Sequence, residues 1–196
     1  MYRNGFSRRT LLKGSAAAAA GLMAVPMINR GAWAQEFRNN PGNAANVVFG
    51  FNVPQTGAYA DEGADELRAY QLAVKHLNGE GDGGMLNTMA PKSLKGNGVL
   101  GKKVTFVTGD TQTKSDAARA SAKRMIEKDG VIMFTGGSSS GTAIAQQSLA
   151  QEMGVIFMCG LTHSNDTTGK DRRRYGFRHF FNAYMSGLAL APVLQE

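Results

Sequence analysis

The 196 residues carry 22 Lys and Arg against 15 Asp and Glu, a formal charge of +7. Most of the excess lies in the first 34 residues, which hold Arg3, Arg8, Arg9, Lys13 and Arg30 and no acid; the other 162 have a charge of +2. That balance excludes an electrostatic case for nucleic acid, and Cys159, the only cysteine, excludes an internal disulfide.

In chain order, Ser7-Arg8-Arg9-Thr10-Leu11-Leu12-Lys13 is a twin-arginine export motif. An Ala-rich apolar run from Ala16 to Met27 follows, then Ala32-Trp33-Ala34, a small-x-small cleavage site. The run is too short and too rich in alanine to span a bilayer comfortably. The expectation is a signal over residues 1–34, handled by the Tat translocase and cut after Ala34. No cysteine stands near the cut, so no lipid anchor is expected, and the product should be periplasmic. What remains is long enough to bury one domain's core.

Residues 35–46 are polar and rich in Asn and Gly, a flexible leader. Asn46 to Val53 is an almost continuous apolar run, the pattern of a strand buried on both faces. Pro54-Gln55-Thr56-Gly57 turns the chain, and a helix is predicted from Asp61 to Asn78, with Leu67, Tyr70, Val74 and Leu77 on one face. Residues 79–98 read as a long Gly-rich loop. A second strand is predicted over 102–108. Ser115 then caps a helix carrying Ala118, Ala122, Met125 and Ile126. Val131–Thr135 and Val155–Cys159 read as buried strands flanking a helix from Thr142 to Met153. Residues 161–174 form a polar loop, in which the basic run 170–174 lacks interleaved aromatics and reads as solvated. A strand over 175–181 and a helix from Tyr184, broken or ended by Pro192, complete the pattern.

Strand and helix alternate, which predicts an α/β fold: a parallel sheet of right-handed βαβ units with helices on both faces. Ligands in such sheets lie at the carboxyl ends of the strands, where the loops 54–61, 136–141 and 160–166 should converge.

Gly136-Gly137-Ser138-Ser139-Ser140-Gly141-Thr142, between a strand and a helix, admits several readings. It has the GxxxxG spacing of a phosphate loop, but Thr142 stands where such a loop needs lysine. Residues 137–141 fit GxSxG, a nucleophile elbow in which Ser139 would attack with His163 or His179 as base and Asp166 or Asp171 orienting it. Against that, no HGGG-type oxyanion segment precedes it, and both histidines follow within about 40 residues. The third reading is binding without chemistry: serine hydroxyls and the helix's first amides hold a carboxylate or amide oxygen. A simple helix cap by Ser139 or Ser140 is compatible with that third reading.

The succession VVFGFNVPQTGAYADEGADELRAYQLAVKHLNG, NGVLGKKVTFVTGDTQTKSDAARASAKRMIEKDGVIMFTGGSSSGTAIAQQSLAQEMGVIFMCGLTHSNDTT and YGFRHFFN resembles the leucine/isoleucine/valine-binding protein family. These are the type I periplasmic solute-binding receptors of branched-chain amino acid and amide ABC transporters. The resemblance runs from about Asn46 to the end. It implies a flavodoxin-like N-terminal lobe over 47–181, a crossing and first helix of a second lobe over 182–196, no cofactor, no metal and no catalysis. It also implies a small-molecule ligand, an amino acid, amide or other carboxylate, delivered to an inner-membrane ABC permease. Ser139 or Ser140, with Ser138 beside them, would meet the ligand's α-carboxylate. Leu161, through its carbonyl, and Thr162 or His163 would meet its α-ammonium. Tyr59 would lie in the loop that closes over the side chain.

The chain departs from that family's pattern at three places. Leu161-Thr162-His163 stands where relatives often have Ser-Ala-Thr, so a histidine adds a donor and a switchable charge. The loop over 79–96 is longer than usual. Relatives have two lobes of similar size, whereas here the sequence stops one helix after the first crossing. That reads as the N-terminal part of a receptor, with an apolar patch expected where the remaining segments would pack.

Overall fold

The computed structural model describes residues 38–80 and 98–195. The export signal, the start of the leader and most of the predicted Gly-rich loop lie outside the described residues.

β1 (Asn46–Val53), β2 (Lys103–Asp110), β3 (Met133–Gly136), β4 (Ile156–Cys159) and β5 (Gly176–Arg178) form one sheet in the order β2-β1-β3-β4-β5. Every pairing is parallel, with Phe49 opposite Met133 and Thr135 opposite Met158. α1 (Ala60–Leu77) covers one face, where Val47, Phe51 and Val104 pack with Val74. α2 (Ser115–Lys128) and α3 (Ser140–Met153) cover the other, where Phe134 and Phe157 pack on Met125, Ile126, Leu149 and Ala150. Phe134 and Phe157 are each wholly buried, a contribution of roughly 2–3 kcal/mol apiece. The predicted α/β sheet with helices on both faces is what forms.

The boundaries differ in instructive ways. α3 begins at Ser140, two residues before the predicted start. Ser115 is the first residue of α2, not its cap; Lys114 holds the cap position and makes no side-chain bond there. β3 starts at Met133, two residues late: the Val131 amide is drawn back to the Met125 carbonyl, while the Ile132 amide already reaches the Val48 carbonyl of β1. β5 covers only the middle of the predicted 175–181 strand. Its neighbour β4 ends at Cys159, opposite Arg178, so Phe180 and Phe181 have no strand to pair with and stack on each other and on His163. α4 (Ala183–Leu190) stops short of Pro192, as a residue without an N–H requires, and starts with Asn182 accepting from the Met185 amide at 2.9 Å. Within the segment read as a leader, the Asn39 amide donates to the carbonyls of Ile126 and Val131 at 2.9 Å each.

Candidate functional site

The order of the sheet reverses between β1 and β3. Loops leaving those two strands run to opposite faces and open a crevice at their carboxyl ends. Two glycines make the β3 side of it. Gly136 and Gly137 have φ of 133° and 90°, and a Cβ on Gly136 would lie 2.2 Å from the Asn52 carbonyl oxygen. Only glycine leaves the strand this way at no steric cost.

Ser138, Ser139 and Ser140 follow, all half-buried. Ser139 occupies the cap position of α3, but its hydroxyl makes no capping bond. Its carbonyl accepts from the Ala143 amide at 3.0 Å and the Thr142 hydroxyl at 2.7 Å. The simple cap expected from the sequence is therefore not formed by this side chain. The amides of the first turn have no partner within the helix and sit at its positive end. The Ser140 hydroxyl accepts from the Ser164 amide at 3.3 Å, which ties the β3 turn to the loop after β4.

Behind Ser138 lies a residue the sequence reading passed over. Glu66, on α1, is only 5% exposed. Its carboxylate accepts from the Ser138 hydroxyl at 2.9 Å and the Tyr70 hydroxyl at 3.1 Å; Tyr70 in turn accepts from Thr135 at 3.2 Å. Burial pushes the Glu66 carboxyl above its ordinary value, against the opposing pull of bonds from Ser138, Tyr70 and the Leu161 backbone and of the nearby His179. Gly160 makes room for this: a Cβ there would lie 2.4 Å from a Glu66 carboxylate oxygen. Glu66 thus joins α1, the β3 turn and the β4 loop. The signal in the sequence was an acid one turn before Tyr70, on the apolar face of the helix.

The β4 loop is held from below by Arg178, whose guanidinium donates to the carbonyls of Thr162, at 3.0 Å, and Ser164. Leu161 is exposed, as is His163, whose ring meets those of Phe180 and Phe181 edge-on with centroids 5.1 and 4.9 Å away. Thr162 is buried, its hydroxyl turned to the Cys159 thiol. Burial raises the Cys159 thiol's pKa, leaving it a poor nucleophile.

On the other side of the crevice, Tyr59 is exposed, and its amide donates to the Thr113 hydroxyl at 3.3 Å. Its loop is fastened by Asp110, which accepts from the amides of Gln55, Thr56 and Gln112 and from the Thr56 hydroxyl at 2.7 Å. Partial desolvation acts against ionisation of Asp110, but these bonds hold its carboxyl below the ordinary value. Ser140 is therefore bonded to the β4 loop directly and Ser138 through Glu66, which Leu161 also meets, whereas Tyr59 is fixed to the β2 side.

Among the described residues, no hydrogen bond joins Ser139 to a histidine; His163 packs on phenylalanines and Asp166 pairs with Lys170 at 2.9 Å. The arrangement offers hydroxyls, amides and a buried carboxylate around a crevice, the equipment for holding a small polar solute.

These features define one lobe of the type I ligand-binding α/β fold. The family model described as periplasmic binding protein matches residues 46–196, and the chain belongs to that family. It is 28% identical over 114 residues to a Leu/Ile/Val-binding protein homolog of Brucella abortus, a match covering 58% of this chain and 24% of that protein. Among solved structures, it resembles a branched-chain amino acid transporter substrate-binding protein of Streptococcus pneumoniae in complex with isoleucine (TM-score 0.56, 22% identity, 70% of this chain and 34% of that one). It also resembles a Rhodopseudomonas palustris ABC transporter solute-binding protein in complex with 4-hydroxybenzoate (TM-score 0.59, 21% identity, 76% and 36%). The chain thus spans about a quarter of the length of the curated relatives it matches.

Proposed function

We propose that this protein is the extracytoplasmic solute-binding component of an ABC transporter, capturing an amino acid, an amide or another small carboxylate reversibly. The observation that carries the reading is the crevice at the β1/β3 reversal. There the turn 136–141 brings serine hydroxyls and the first amides of α3 beside the loop after β4. Isoleucine and 4-hydroxybenzoate, bound by two structural neighbours, share a carboxylate, the group such a turn suits. In this reading Ser139 and Ser140 meet the carboxylate end of the solute with Ser138 beside them, while the Leu161 carbonyl and His163 meet the other end; Thr162, expected there from the sequence, is instead buried with its hydroxyl on Cys159. Tyr59 closes over the remainder.

The partners that follow are an inner-membrane ABC permease and, during export, the Tat translocase. The mature protein would be periplasmic, released by cleavage near Ala34, and the crossing over 182–196 would lead to the lobe that closes over the solute. No covalent step is involved.

Two assays on the mature chain test this together. A thermal-shift screen against amino acids, amides and aromatic carboxylates should raise the melting temperature with at least one of them. A fluorophosphonate should leave Ser139 unlabelled. Labelling of Ser139 without any ligand-dependent stabilisation would replace the binding reading with a serine hydrolase.

A further inference from the structure

We propose that Glu66 sets the hydrogen-bonding sense of the site: by taking the Ser138 proton it leaves that hydroxyl an acceptor, selecting a solute that presents an ammonium, amide N–H or hydroxyl donor there. The inference rests on the solute-binding reading and names which group of the solute belongs at Ser138. A carboxylate only accepts hydrogen bonds, and a serine hydroxyl has a single proton to give. At 2.9 Å from Glu66, with the acid 5% exposed and Ser138 half-buried in front of it, that proton is committed inward. Ser138 then turns only lone pairs toward the crevice. A solute carboxylate placed there would face lone pairs and a buried negative charge, so it belongs at the α3 amides.

The other groups around Glu66 do not reverse this. Tyr70 on α1 spends its proton on Glu66 and accepts from Thr135 on β3. Cys159 on β4 bonds Thr162, and the Leu161 backbone stabilises the carboxylate. His179, beyond β5, also favours the ionised form. When Glu66 is protonated, it can donate to Ser138 itself, and the serine proton becomes free for the solute. Glu66 is therefore a positioning residue whose effect passes through Ser138.

The test uses a pair of probes alike in shape and opposite in role, benzylammonium and benzoate, titrated into the isotope-labelled full chain while the backbone amides of residues 138–140 and 160–161 are followed by NMR. Near neutral pH, benzylammonium should perturb Ser138 and Gly160, and its preference over benzoate at Ser138 should fall roughly tenfold in Glu66→Gln. Ser138→Ala, which keeps the buried charge, should lose most of the preference as well. If it keeps it, charge alone is acting and the relay is wrong.

An unchanged preference in a folded Glu66→Gln, or in the wild type as pH falls through the carboxyl's raised titration, would overturn the inference while leaving the binding reading intact. The wild-type pH series stands in should the variant not fold. If neither probe perturbs residues 138–140 at all, the binding reading and the inference fall together.

Discussion

Glu66 is held by donors on two other elements, yet its burial favours the neutral form. The consequence for stability has a definite sign. The folded carboxyl titrates above its ordinary value of 4.5, so the folded chain holds this proton more tightly than the unfolded one. The associated stability is complete below 4.5 and is lost as pH rises through the folded value. Urea unfolding across that window should show wild type losing stability relative to Glu66→Gln as pH increases. A constant gap between the two, at every pH, would mean the site is wetter than its burial implies. This residue also marks how far the site was readable from sequence. Ser138–Ser140 stand out because glycines and serines between an apolar strand and a helix have few other uses. Glu66 sits inside an ordinary amphipathic helix, and its role depends on Gly160 and Ser138, 94 and 72 residues away in sequence, arriving at the same point.

At the scale of elements, local chemistry fixed what forms and tertiary contact fixed where it stops. β1 and α1 lie within a residue of the pattern-based spans because their apolar periodicity is strong. β5 was overestimated because its end depends on β4, a partner no local pattern reveals. The same dependence makes two chemically identical substitutions behave oppositely. Gly63 lies in the first turn of α1, where an added Cβ would sit 1.9 Å from the Pro54 carbonyl oxygen, a backbone atom that cannot step aside. Gly187 lies in α4 with nothing within 4 Å of the same position. Gly63→Ala should therefore cost about 2 kcal/mol or more despite its better helix propensity. Gly187→Ala should gain about 0.5–1 kcal/mol. Urea titrations of both variants check the pair. Equal signs would show that the α1–β1 approach is looser than the geometry requires.

Across the whole molecule, apolar side chains collect on one stretch. Phe181, Tyr184, Met185, Leu188, Leu190, Val193 and Leu194 are all at least 45% exposed, and none of α4's residues is buried. Phe181, Met185, Ala189 and Leu190 line an open groove of about 460 Å³ along that helix. A second, of about 230 Å³, lies beside α1 between Phe49, Tyr70, Met133, Met158 and His179. Scattered exposed leucines are normal, but a contiguous patch of this kind is a contact surface. The charge of +2 on residues 35–196 offers little repulsion to keep two such surfaces apart. A chain of residues 35–196 should therefore sediment above its monomer mass, increasingly so with concentration, and should hold solutes weakly while its apolar surface is engaged elsewhere. Replacing Met185 and Leu188 together by lysine should return it to monomer with an unchanged far-ultraviolet spectrum, because neither side chain supports the core. A wild-type chain that stays monomeric at high concentration and binds a solute at micromolar levels would refute this. It would show that the lobe's exposed surface suffices for solubility and its own loops suffice for capture.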